Sequence, residues 1–310
     1  VDFNVENIAK RINIDCPVLL NEPMSRHTSF RIGGPADLYV RPRQEKDLIA
    51  LLRLMKASEL PVFILGGGAN ILVSDRGIRG IVVDMTDLSK IEVRETLIES
   101  GAGAPVSDLA SRAARHGLRG LEFIYRMPGS VGGAVWMNAR CYGKSISDLP
   151  GWVDFLDGDL EKKRMIIDPA AFAYKKSPFQ ENGAILLRAG FELEKGDSAE
   201  ILREMGRIEK DRRKKGHFDL PSAGSVFKND RALGRPSGMI LDELGLKGVR
   251  RGKARVSPVH ANIIVNTGGA TAEDVRALVN YARELAYREL GIILEPEIRF
   301  IGEWPEGVMS

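Results

Sequence analysis

Three consecutive glycines, Gly66, Gly67 and Gly68, interrupt an apolar run in ILGGGANILVSD, residues 64–75. Residues without Cβ atoms let a backbone approach an anion closely and turn successive N–H groups into one concavity. The chemistry on offer is the holding of phosphate oxygens by backbone donors. The stretch lacks the Gly-Lys-Ser/Thr ending of a Walker loop, and Ile71 stands where a dinucleotide fingerprint needs a further glycine. Taken alone, the loop is as readily a tight connection between strands as an anion nest. A second glycine-rich stretch, RMPGSVGGAVWMNA (126–139), again sets small residues where a flat or anionic ligand can lie against backbone, or where a buried loop can pack on a sheet. Two such loops in one chain point to a large ligand with both a pyrophosphate and a planar ring.

Fewer side chains offer acid–base chemistry. Ser225, in SAGSVFKN, is a poor acid in water. It becomes a competent one only when placed against the reacting atom with its conjugate base supported electrostatically; by itself it reads as a turn serine. Glu295 and Glu297, in EPEIRF, lie two apart and share one side of a strand, with Arg299 on the same side. Lys228 follows Ser225 by three residues, and alternation points it to the other face. The basic run KDRRKK (210–215) is a solvated helix end or an attractor of anions. Two distant cysteines, Cys16 and Cys141, and four scattered histidines make neither a disulfide framework nor a metal-ligand set, so no metal is expected.

Elements must position these groups. Helices are expected over 44–59, where Leu48, Leu51, Leu52 and Met55 share a face, and after residue 103, where Val106, Leu109, Ala110 and Ala113 do. A helix over 197–216 has Asp197 as its cap and links two domains. A helix over 271–290 opens on Thr271 and Asp274 and closes at Gly291. Strands are expected at 61–65, 80–85, 96–103 and 185–193, in the SAGSVFKN and HANIIVN stretches, and over 292–302. Residues 27–42 read as strand, Gly–Gly turn, strand, and 152–167 as a hairpin turning at Asp157–Gly158. The fold class is α+β. The expected division is 1–85, 86–196 and 197–310.

With 310 residues, 44% apolar and 28% charged, the chain can bury a sizeable core. A net charge of +3, with both signs interspersed, demands neither nucleic acid nor an anionic membrane. The polar, acid-containing start is no signal peptide, no apolar run reaches bilayer length, and a reducing cytoplasm is the expected setting. No obligate protein partner is evident.

HTSFRIGGPAD, GGGANILVSDRG, PGSVGGAVWMNA, SAGSVFKN, HANIIVN and EPEIRFIG occur in the order found in the UDP-N-acetylenolpyruvoylglucosamine reductases, and the chain resembles that family from about residue 21 to 304. Each stretch is a weak signal; their order and spacing make a strong one. The resemblance implies a two-part unit holding FAD non-covalently and a C-terminal domain for a UDP-sugar. It implies reduction of UDP-N-acetylglucosamine enolpyruvate by NADPH through the flavin, in peptidoglycan precursor synthesis. It places Gly66, Gly67, Gly68, Ala69, Asn70, Ile71, Gly129, Ser130, Gly133, Asn138 and Arg299 around FAD. Ser225 matches the family's proton donor. Glu297, favoured over Glu295 by its Pro-Glu-Ile-Arg context, matches the glutamate that supports the enolate. Tyr174, Asn229 and His260 match positions near the substrate. In FAYKKSPF, Lys175 takes a position where the family has arginine, exchanging a planar fork for a point charge. Arg126 and Arg140 replace small residues. The extra tyrosine loop of some members has no counterpart, so the chain looks like the shorter type. Two rival readings are another oxidoreductase on the same flavin scaffold and a flavin-binding protein without catalysis, the latter kept alive by Lys175.

Overall fold

The computed structural model describes residues 5–12 and 14–305; the outer ends of the first and third expected domains, 1–4 and 306–310, lie outside them. The chain divides into two compact units. One contains Val1–Leu20, Leu38–Gly67 and Gly80–Lys210; the other contains Asn21–Asp37, Gly68–Arg79 and Asp211–Ser310.

In the first unit, helix Glu45–Ala57 buries Leu48, Leu51, Leu52 and Met55, with Glu45 and Asp47 at the positive end of its dipole. Strand Val62–Leu65 runs parallel to Ile78–Asp84, in register Val62↔Ile81 to Leu65↔Asp84. An antiparallel five-stranded sheet has the order Lys162–Ile166, Gly151–Leu156, Ile185–Glu192, Leu97–Gly101, Ile91–Arg94. Helix Val106–Arg115 buries Val106, Leu109, Ala110 and Ala113. One apolar core runs through all of these, from Leu38 and Leu48 to Phe191 and Leu193. A sequence division at residue 85 cuts across that core, which linear order does not reveal. On the sheet, Trp152 lies so close over Gly190 that a Cβ there would sit 2.4 Å from the indole. The Arg164 guanidinium stacks 3.7 Å from the Trp152 ring centre and grips the buried Asp154 at 2.6 and 2.8 Å.

The second unit is built around helix Ala272–Leu290. Thr271 and Asp274 form its capping box, and Gly291 ends it at φ 65°, a left-handed value that glycine adopts freely. Asp75 adds a second cap, its carboxylate accepting from the N–H groups of Ala272 (2.8 Å) and Glu273 (3.1 Å). Strands Arg250–Arg251, Ala254–Val256 and Ile264–Asn266 form an antiparallel sheet. Strand Ile71–Val73 pairs in parallel with Arg299–Ile301. Phe30, Ile32, Leu72, Val226, Phe227, Val275, Leu278 and Val279 share the core.

Three expectations need correction. The first strand before the Gly–Gly turn lies at Val18–Pro23, not at 27–32. Residues 28–32 form a turn closed by the Thr28 hydroxyl, which donates to the Ile32 carbonyl at 2.9 Å. The last strand is confined to Arg299–Ile301. The SAGSVFKN stretch makes only isolated bridges, Ser225↔Ile263 and Phe227↔Pro296.

Candidate active site

In the first unit the two glycine stretches meet. A Cβ on Gly67 would lie 2.7 Å from Gly129 Cα, and one on Gly66 would lie 2.2 Å from Ser130 Oγ. Backbone therefore touches backbone, which side chains at these positions would prevent. Among the described residues, no hydrogen bond runs from the N–H groups of Gly66, Gly67, Gly129 or Ser130. Unsatisfied donors gathered on backbone that is exposed at Gly67 and half-buried at Gly66 and Gly129 are the makings of an anion cradle. The strand leading in is fixed by the Met85 N–H, which donates to the Leu65 carbonyl at 2.9 Å. Asp84, opposite Leu65, is buried and accepts from Tyr39, from Arg41 Nε at 3.2 Å and from the Thr86 N–H at 2.8 Å. Burial, and then the Asp84 carboxylate, push the Tyr39 phenol above its ordinary pKa, so it stays a donor.

Not every predicted cofactor residue has its side chain free for a ligand. Ser130 is buried, and its Oγ accepts from the Gly133 N–H at 3.2 Å. Asn138 is buried too. Its amide donates to the Ala173 carbonyl (2.9 Å) and accepts from the Ser147 N–H (3.1 Å). That pair of bonds anchors the turn carrying Tyr174 and Lys175, in which Ala173 and Lys176 exchange hydrogen bonds at 3.2 and 3.1 Å. Lys175 sits at φ 60° with its Nζ 5.7 Å from the Tyr174 ring centre, and its carbonyl accepts from Gln180 Nε2 at 3.1 Å. Tyr174 is exposed and Lys175 half-buried. Of the unusual arginines, Arg126 lies 3.4 Å from Glu209, and Arg140 donates to Ser145 Oγ at 3.4 Å.

In the second unit, Gly68 takes φ 59°, where a Cβ would lie 2.1 Å from the His27 carbonyl oxygen; glycine is required here. The N–H groups of Gly68 and Ala69 make no hydrogen bond among the described residues. Ile71 opens the strand opposite Arg299. Half-buried Ser225 precedes Val226, whose carbonyl accepts from the N–H groups of both Glu297 (2.7 Å) and Ile298 (3.4 Å). Two successive donors on one acceptor mark a bulge, which alters the alternation of side chains. Glu295 and Glu297 differ in their surroundings: Glu295 is exposed and paired with Lys228, and Glu297 is half-buried. Asn262 braces the same place. It accepts from the Phe227 N–H and donates to the Phe227 carbonyl, both at 2.9 Å, and its own carbonyl accepts from the Val226 N–H at 2.9 Å. Buried Asn266 likewise donates to the Phe30 carbonyl at 3.1 Å and accepts from Gly268 and Ala270. Sequence reasoning missed Asn262, Asn266 and Asp75 as braces. Their only signal was that polar residues stood beside apolar runs in the quoted motifs.

Asn229 does not continue a strand from Ser225. Its side-chain oxygen accepts from the Ser237 N–H at 2.9 Å, at the start of helix Ser237–Glu243. The two imidazoles of His217 and His260 lie 6.2 Å apart. Burial, then the Arg212 charge, bring His217 down to about 4; burial, then Lys215, lower His260. His260 Nδ1 accepts from the Asn262 N–H at 3.2 Å, so the neutral ring carries its proton on Nε2. It can offer an anion one neutral donor, not a charge.

These depressed values fix a pH dependence. The unfolded imidazole titrates near 6.5, so stability is complete above that pH and falls as pH drops toward 4, where only the unfolded chain gains the proton. His217→Gln is expected to flatten this decline by on the order of 2 kcal/mol between about pH 7 and about pH 4.5 in urea unfolding. Equal declines in both proteins would show that His217 does not carry it.

Comparison with known proteins bears on this arrangement. The model of the UDP-N-acetylenolpyruvoylglucosamine reductase C-terminal domain matches residues 216–301, and that of an FAD binding domain matches 36–159. The UDP-N-acetylenolpyruvoylglucosamine reductase of Caldanaerobacter subterraneus subsp. tengcongensis is 41% identical, over 95% of this chain and 97% of its own. That of Heliobacterium modesticaldum is 42% identical, over 91% of this chain and 90% of its own. The crystal structure of UDP-N-acetylenolpyruvylglucosamine reductase (MurB) from Thermus caldophilus superposes with a TM-score of 0.78 at 32% identity, covering 94% of this chain and all of the other.

Proposed function

Since this chain belongs to the UDP-N-acetylenolpyruvoylglucosamine reductase family, an FAD-dependent oxidoreductase family of peptidoglycan synthesis, we propose that it reduces UDP-N-acetylglucosamine enolpyruvate to UDP-N-acetylmuramate with NADPH, Ser225 supplying the proton. The observation that carries the reading is the bond from the Glu297 N–H to the carbonyl of Val226, the residue beside Ser225. It brings together two segments far apart in sequence, one bearing a hydroxyl and the other a carboxyl.

The cradle fits the cofactor. Gly66, Gly67, Gly129 and Ser130 would hold the pyrophosphate through their N–H groups, and the loop continues through Gly68, Ala69 and Asn70. When bound, FAD supplies the hydride that NADPH provides and that ends on the enolpyruvyl β-carbon. The chain must then manage charge and a proton. Negative charge grows on the α-carbon and spreads into the adjacent carboxylate. The Glu297 carboxyl is assigned to support that enolate, and the Lys175 ammonium to pair with the carboxylate. Ser225 Oγ–H gives its proton to the α-carbon and recovers one from solvent. Tyr174, Asn229 and His260 are assigned to the UDP-sugar, His260 by donation from Nε2, and Arg299 to the flavin. Among the described residues no helix is long and apolar enough to cross a membrane; action in the cytoplasm is part of the same proposal.

The test is an anaerobic visible spectrum. The flavin band should bleach on adding NADPH and return on adding the enolpyruvyl substrate. A protein that neither carries nor takes up FAD would end the proposal. A second experiment addresses Lys175. Lys175→Arg is expected to turn over within about threefold of the parent or faster, because the arginine fork grips the same carboxylate. A loss of about tenfold or more in steady-state turnover would remove the carboxylate from Lys175.

A further inference from the structure

Asn70 closes the glycine loop, and its side-chain Nδ2 is committed within the protein. Nδ2 donates to the Glu297 carbonyl at 3.0 Å, and the Asn70 carbonyl accepts from the Arg299 N–H at 3.0 Å. The residue thus brackets Ile298. The parallel ladder between Ile71–Val73 and Arg299–Ile301 stops where the loop begins. There the side chain supplies one more rung. On its other side the Glu297 peptide is held by Val226, through the bulge. Glu297 is therefore fixed at both its N–H and its carbonyl, once by the neighbour of Ser225 and once by the end of the glycine loop. A bulge disrupts the ladder locally and re-aims a side chain, and a side-chain rung beside it restores one of the lost backbone bonds.

We infer that Asn70 is a positioning residue for Glu297, the means by which the glycine loop sets the carboxyl that supports the enolate. This rests on the role of Glu297 proposed above. Asn70→Ala removes the rung. Asn70→Asp is isosteric, cannot donate, and carries the test if the alanine variant does not fold.

The measurements use the FAD-loaded full chain, in the parent and in Glu297→Gln backgrounds. FAD affinity by fluorescence and reduction by NADPH are measured beside reoxidation, and reoxidation is read at saturating FAD, so that any loss of cofactor binding through the loop is separated from the positioning of Glu297. Reoxidation by the enolpyruvyl substrate should slow roughly 10–10²-fold, the cost of misplacing a group by about 1 Å, with an altered pH profile. In the Glu297→Gln background the same Asn70 change should cost no more than about twofold, because a residue acting through another has nothing left to position. Losses that multiply in the double variant, or a fall in FAD affinity with reoxidation intact at saturating FAD, would overturn the assignment of Asn70 alone. If Glu297→Gln by itself leaves reoxidation unchanged, the role of Glu297 falls, and this one with it.

Discussion

Ser225→Ala is expected to leave reduction of the bound flavin by NADPH intact and to slow its reoxidation by the enolpyruvyl substrate by roughly 10²–10⁴-fold, the usual cost of a positioned acid. The substitution removes one hydroxyl from a half-buried segment whose backbone is held elsewhere. Val226 and Phe227 are tied to Asn262, and Val226 is also tied to Glu297. The fold should survive, and binding of the UDP-sugar should change little. Stopped-flow absorbance separates the two half-reactions. The alanine variant should bleach like the parent and then stall. Reoxidation at the parental rate would show that the proton comes from another group, and slow bleaching would mean that Ser225 serves the cofactor instead.

The second large effect belongs to the cradle. Gly67→Ala is expected to weaken FAD binding about 10–10²-fold, which corresponds to the 1–3 kcal/mol typical of forcing atoms into filled space. The new methyl would meet Gly129 Cα at 2.7 Å and its carbonyl carbon at 2.9 Å. Both are backbone atoms, so no rotamer can relieve the overlap and the loops must separate. Their N–H donors then no longer converge. Titration of the apoprotein with FAD, followed by flavin fluorescence, reads the affinity directly. An alanine variant that binds FAD as tightly as the parent would detach the pyrophosphate from this pair of loops.

How much of this was legible in the sequence depends on the kind of force involved. Periodicity located the helices containing Leu48 and Leu109, because an apolar stripe every three to four residues is a local property. The capping box at Thr271 and the stop at Gly291 were equally local. The family resemblance directed attention to Ser225 and Glu297 by their motifs. What the sequence concealed were hydrogen bonds between distant segments. The resemblance placed Asn70 and Asn138 around FAD. Within the chain their amides donate to the carbonyls of Glu297 and Ala173, bonds that the letters did not announce. Strand alternation set Glu295 and Glu297 on one face; their surroundings, invisible in the letters, separate them, Glu295 exposed beside Lys228 and Glu297 half-buried. The strand expected to run on from Ser225 to Asn229 failed for a related reason: the extended stretch gives way to a helix start that Asn229 caps. That one core spans residue 85 was hidden because cores are assembled in space while the sequence is read in order.

Asp75 capping helix Ala272–Leu290 across 197 positions has a consequence for how the protein is made. A ribosome adding about 5–20 residues per second needs on the order of 10–40 s to travel that distance. Throughout that interval the nascent chain has already released Phe30, Ile32 and Leu72, whose partners Val275, Leu278 and Val279 do not yet exist. The first unit, complete by Lys210, can close around its own core in the meantime. The two early segments of the second unit must wait as unpaired apolar stretches. Holding them out of wrong associations until the last hundred or so residues emerge falls to chaperones or to slow, reversible collapse. Synthesis is therefore a stage at which these apolar segments are exposed to wrong association.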